Sequence, residues 1–93
     1  MQYGYADNKE NILKRLKRIE GQVRGVARMV EEDKYCIDIL TQISAVDAAM
    51  DKVAIELLRD HTKHCVANPA ISPEARDAKV EEVISAINRL LRK

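Results

Sequence analysis

Residues 34–66 read KYCIDILTQISAVDAAMDKVAIELLRDHTKHCV, a stretch with neither glycine nor proline. Asn68-Pro69 follows and stops the helical pattern, because the residue before a proline is driven out of the α region. The stretch therefore predicts one long helix from about Lys34 to Val66. At ~100° per residue, Cys36, His61 and Cys65 share one narrow stripe of that helix, with Leu40, Ile43, Met50, Ala54 and Leu57 near it. At ~1.5 Å rise per residue, however, Cys36 lies about 37 Å from His61. One chain cannot bring these side chains together while the helix is intact. A second chain running antiparallel can, with the two-fold axis passing near Met50. An isologous dimer then carries two identical sites, one at each end.

A lone cysteine or histidine on an apolar helix face is ordinarily a core residue, so the shared stripe is what singles these three out. His61 and Cys65, at i and i+4, project from the same face one turn apart and suit two ligands on one metal. Cys36 stands near the start of the helix, an electropositive position suited to an anionic ligand. Two thiolates and one imidazole form a soft set. A closed zinc site ordinarily takes a fourth ligand, whereas three such donors suit trigonal Cu(I). His64 points ~100° away from Cys65 and reads as solvent-facing.

Ninety-three residues make one domain at most. The chain has no Phe or Trp and is 46% hydrophobic and 33% charged, which favours long helices over sheet. Asp7 with Glu10 forms a capping-box pattern. Ile12, Leu16, Ile19, Val23, Val26 and Val30 follow at three- and four-residue spacing, predicting a helix that ends near Glu31. Asp33 is expected to cap the long helix. Ser72-Pro73-Glu74 reads as the start of a third helix whose apolar face is Val80, Val83, Ile84, Ile87 and Leu91. Gly21 and Gly25 lie four apart on the first helix and suggest close packing against a neighbouring helix. The start of the chain does not read as a signal peptide, and no apolar run approaches a membrane span. A cytoplasmic protein is expected, with its cysteines reduced. A disulfide between Cys36 and Cys65 in one helix is excluded by distance.

Net charge is only +1, yet residues 9–28 hold seven cations (Lys9, Lys14, Arg15, Lys17, Arg18, Arg24, Arg28) against Glu10 and Glu20, giving +5. The rest of the chain carries −4. One basic helix in a near-neutral protein suits a polyanion, nucleic acid foremost. No helix-turn-helix, zinc finger or aromatic RNA-binding signature accompanies it.

The segments Leu13–Gly25, Met29-Val30-Glu31, Asp33–Leu40 and Gln42–Ala45 resemble the copper-sensitive operon repressors, a branch of the copper/nickel-sensing repressor family. The likeness spans roughly Asn11 to Leu90, and Cys36, His61 and Cys65 fall on all three copper-ligand positions. It implies an all-α protomer of three helices in an antiparallel dimer, paired into a tetramer. It further implies one Cu(I) per protomer, held by Cys36 of one chain with His61 and Cys65 of the other. Metal-free protein would bind operator DNA, and Cu(I) would release it. By position Tyr35 matches a tyrosine beside the metal. Glu82, or Glu81 given a one-residue gap, matches the glutamate that would accept a hydrogen bond from His61. Arg15 and Lys52 match basic positions used on DNA, with Lys14, Lys17 and Arg18 in the same cluster. Across a tetramer these patches are expected to form a flat positive surface for phosphates.

Other readings stay open at this point. Nickel or cobalt sensors of similar sequence add an N-terminal ligand, and no His or Cys precedes Cys36. Persulfide sensors lack the histidine, and formaldehyde sensors carry proline after the initiator Met, where Gln2 stands here. A copper carrier without DNA binding is a further alternative. A thiol enzyme using Cys36 and His61 has no oxyanion device or acid/base pair to support it.

Overall fold

The computed structural model describes residues 8–66 and 68–92, with the side chains of Cys65 and Val66 outside the description. The expected cap at Asp7 also lies outside the described residues. Three α-helices carry the chain: α1 (Lys9–Glu31), α2 (Cys36–His61) and α3 (Pro73–Leu91), with a π-helical turn over Thr62–Val66. No strand occurs among the described residues. The all-α architecture is the one expected from the sequence.

Two compact units share α2 between them. The first is Lys9–Ala54 and so holds α1 and most of α2. Its buried side chains are Ile12 and Ile19 on α1 and Val53 on α2. Glu10 in the first turn of α1 and Arg28 in its last turn complement the helix dipole. The helix closes in a Schellman turn. The Asp33 N–H donates to the Val30 carbonyl (3.1 Å) and the Lys34 N–H to that of Met29 (3.0 Å), with Asp33 at φ 55°. Asp33 therefore closes α1 instead of capping α2, correcting the expectation from sequence. The residue before α2 is Tyr35, whose carbonyl accepts the Ile39 N–H at 3.2 Å. Accordingly α2 begins at Cys36, two residues later than its pattern suggested.

The second unit holds Asn8, the end of α2 from Ile55, the π turn and α3. The Asn8 amide donates to the Asp60 carboxylate at 3.2 Å. The sequence pointed to unbroken α-helix as far as Val66, but the α ladder ends at His61. The Thr62 hydroxyl donates to the Leu58 carbonyl at 2.8 Å, the acceptor that an α-helix reserves for the Thr62 N–H. Such back-bonding loosens a helix locally. The Asn68 side chain then accepts the Ala70 N–H at 2.9 Å, an Asx turn. Ser72 caps α3 as expected, its hydroxyl accepting the Ala75 N–H at 3.2 Å with Pro73 next in line.

Much apolar surface stays uncovered in the single chain. On α2, Leu40 is 55% exposed, Ile43 41% and Met50 43%. On α3, Val80, Ile84, Ile87 and Leu91 are exposed as well.

Candidate metal centre and nucleic-acid interface

Cys36 is the first residue of α2, a free and exposed thiol. Tyr35 beside it is 70% exposed. His61 is the last residue of the same helix. A continuous helix thus keeps the two at its opposite ends, as the spacing required. Among the described residues, no group of three or more His, Cys, Asp or Glu side chains gathers at metal-holding distance. The Cys65 side chain lies outside the described residues, while its backbone belongs to the π turn that follows His61.

His61 has a definite neighbour. Its Nε2 faces Glu82 Oε1 at 3.6 Å, and Lys79 Nζ lies 3.8 Å from the same oxygen. Of the two glutamates that sequence reasoning left open, it is Glu82 that reaches His61. At 3.6 Å this is an electrostatic approach, longer than a formed hydrogen bond. With Nε2 turned to Glu82, Nδ1 is the ring nitrogen left for a metal. A cavity of about 430 Å³ opens here, lined by Leu57, Leu58, His61, Glu82, Val83, Ala86 and Arg89. Glu82, Ala86 and Arg89 stand at i, i+4 and i+7 of α3. That register was readable, but the pairing of α3 with the end of α2 was not. Lys79 was also missed, although its i, i+3 relation to Glu82 is visible in the sequence. His64 is exposed, in line with its solvent-facing reading.

The basic residues separate into two groups. Arg15 and Arg18 of α1 and Lys52 of α2 line a common cavity of about 370 Å³, together with Ile19, Gln22, Ala45, Ala48 and Ala49. Lys14 and Lys17 are exposed and do not line it. In the single chain these three cations border a concavity. Arg24 pairs with Glu20 at 3.2 Å, an exposed i, i+4 contact of small energetic weight. Among the described residues, Gly21 and Gly25 meet no packed helix. A Cβ at Gly21 would find only the Arg24 guanidinium at 3.9 Å, and one at Gly25 would find nothing within 4 Å. The expectation of close helix packing at these glycines is corrected for the single chain.

Residues 8–89 match the family described as metal-sensitive transcriptional repressors. The chain is similar to the copper-sensing transcriptional repressor RicR of Mycobacterium tuberculosis, 55% identical over 91 residues that cover 97% of this chain and 95% of that protein. It is similar to the copper-sensing transcriptional repressor CsoR of Bacillus subtilis, 53% identical over 81 residues, 87% of this chain and 79% of that protein. Among solved structures, the copper-sensing repressor CsoR with Cu(I) from Geobacillus thermodenitrificans superposes with a TM-score of 0.82 at 49% identity, covering 94% of this chain and 90% of that one. A variant of the formaldehyde-responsive regulator FrmR from Salmonella enterica serovar Typhimurium superposes with a TM-score of 0.81 at 30% identity, covering 92% and 97%. The backbone thus serves sensors of different inducers, and side chains must choose between them.

Proposed function

The chain belongs to the metal-sensitive transcriptional repressor family, and from that premise we propose that it is a Cu(I)-responsive repressor. The metal-free protein binds operator DNA in the cytoplasm, and Cu(I) weakens that binding. It acts by binding, without catalysing a reaction. The single observation that carries this reading is α2 itself, an unbroken helix with Cys36 as its first residue and His61 as its last. Cys36 of one protomer and His61 with Cys65 of its antiparallel partner would hold the ion, two sulfurs and one nitrogen. The exposed stripe of Leu40, Ile43 and Met50 supplies the apolar surface that such a dimer covers. Pairing of dimers into a tetramer follows the same family pattern.

The residues here fit a soft metal. Cys36 is free and exposed, and His61 turns Nε2 toward Glu82 and leaves Nδ1 available. A carboxylate behind a ligating imidazole fixes its tautomer and ring orientation. Through Glu82, metal binding at His61 is felt on α3. Tyr35, next to Cys36 in the chain, would flank the sulfur end of the site.

Lys14, Arg15, Lys17, Arg18 and Lys52 form the DNA-contacting set, acting through phosphates. Metal and DNA then oppose one another by linkage. If Cu(I) weakens DNA binding by some factor, DNA weakens Cu(I) binding by the same factor. The test is fluorescence anisotropy with DNA from the protein's own promoter, under anaerobic conditions. We expect binding by the metal-free protein and release on adding Cu(I). Equal affinity of the two forms would sink the proposal.

A further inference from the structure

Between the two proposed ligands at the end of α2 the backbone changes register. The α ladder stops at His61, and Thr62–Val66 form a π-helical turn that contains Cys65. In an α-helix, position 65 overshoots position 61 by about 40° after one full turn. A turn closed by i→i+5 hydrogen bonds holds more residues, so that overshoot shrinks and the two backbone positions come closer to alignment along the axis. Two residues that share one ion are sensitive to this offset, because it sets where their side chains start from.

Local chemistry explains where the change falls. The Thr62 hydroxyl donates to the Leu58 carbonyl at 2.8 Å, in competition with the backbone. Thr41 makes the same bond to the Ile37 carbonyl at 2.9 Å, yet α2 runs through it undisturbed. The difference lies downstream. Pro69 offers no N–H to the Cys65 carbonyl, the bond that a continuing α-helix would form there. The Asn68 side chain instead accepts the Ala70 N–H at 2.9 Å in the turn that leads to α3. Thr41 thus sits in a ladder supported on both sides, and Thr62 in one that the proline leaves open. We propose that the π turn sets the spacing of the His61–Cys65 pair and that Thr62 is the positioning residue that holds it. Thr62 is not itself a ligand; it acts through the backbone that carries Cys65. The inference rests on the Cu(I)-binding reading given above and adds to it a residue outside the ligand set.

Three substitutions test this. Thr62→Val deletes the hydroxyl and keeps the shape, Thr62→Ser keeps the hydroxyl, and Thr41→Val removes the matching bond from the unbroken part of α2. Each variant is compared with wild type by anaerobic Cu(I) competition titration and by backbone NMR of residues 62–66 in the metal-free protein. Circular dichroism and sedimentation check fold and assembly. We expect Thr62→Val to weaken Cu(I) binding roughly tenfold, the lower end of the range for groups that orient metal ligands. Its metal-free backbone shifts over 62–66 should move toward α-helical values. Thr62→Ser should restore both, and Thr41→Val should leave both as in wild type. A folded Thr62→Val chain that binds Cu(I) like wild type would overturn the positioning role and leave the repressor reading standing. So would an equal loss in Thr41→Val, which marks general weakening of α2, or a loss in Thr62→Val with unchanged backbone shifts. Should Thr62→Val fold poorly, Thr62→Ala, a better helix former without the hydroxyl, takes its place under the same criteria. Wild type that binds no Cu(I) would overturn the metal-sensing reading itself, and the positioning role with it.

Discussion

Glu82 stands within reach of both His61 and Lys79, which gives it a testable part in the switch. Its carboxylate faces Nε2 at 3.6 Å, so replacing it with the neutral amide removes the negative charge set against the ring. We expect Glu82→Gln to weaken Cu(I) binding or the Cu(I)-driven loss of DNA affinity by about 10–100-fold, the usual range for a partner behind a ligand. Glu81→Gln should leave both near wild type. Competition titration of Cu(I) and anisotropy together decide the matter, and equal effects of the two substitutions would remove Glu82 from the account. Asp33 offers a stability test at the same scale. With φ at 55°, it occupies a conformation that glycine adopts freely and β-branched residues resist. Asp33→Val is expected to lower the unfolding free energy by about 1–2 kcal/mol, while Asp33→Gly should be neutral or stabilising, both read by urea unfolding. The three candidate ligand positions were legible in sequence as an expectation, because periodicity on an unbroken α-helix puts Cys36, His61 and Cys65 on one stripe. Glu82 against Glu81, and Arg15 against Lys14, were not. Those choices depend on how two helices meet, and spacing within one helix says nothing about that.

At the scale of elements, α1 retains two glycines that its own chain does not explain. Both stand in helical conformation with room for a Cβ. Gly21→Ala and Gly25→Ala should each stabilise the chain by about 1 kcal/mol on helix propensity. Thermal unfolding that instead shows a loss would place another backbone against this face in the assembled protein. Helix ends tell a similar story about what sequence can convey. Ser72-Pro73-Glu74 announced α3 correctly, because a cap, a proline at the first helical position and an early acid each act locally. The Asp33 turn and the π turn after His61 escaped notice. One depends on a residue adopting positive φ without being glycine, the other on the Thr62 hydroxyl sharing the Leu58 carbonyl. Neither leaves a mark in hydrophobic spacing.

For the whole molecule, the account requires a partner. The apolar stripe of α2 stays open in one chain, and the proposed ligands Cys36 and His61 sit at the two ends of the helix. In the proposed antiparallel dimer the two Met50 side chains would lie near the axis, so Met50→Glu would set two carboxylates against each other in an apolar seam. Sedimentation should then show dissociation, with loss of Cu(I) binding in the monomer. The central claim is that each Cu(I) is held by two chains, and subunit complementation tests it most directly. A chain with Cys36→Ala keeps His61 and Cys65; a chain with His61→Ala and Cys65→Ala keeps Cys36. Neither forms a complete site with its own kind. Unfolded together and refolded as a mixture, the two should recover one Cu(I) site per mixed dimer, seen as two-sulfur, one-nitrogen coordination by X-ray absorption spectroscopy. A mixture that binds no more Cu(I) than the separate variants, although mixed dimers form, would contradict the account.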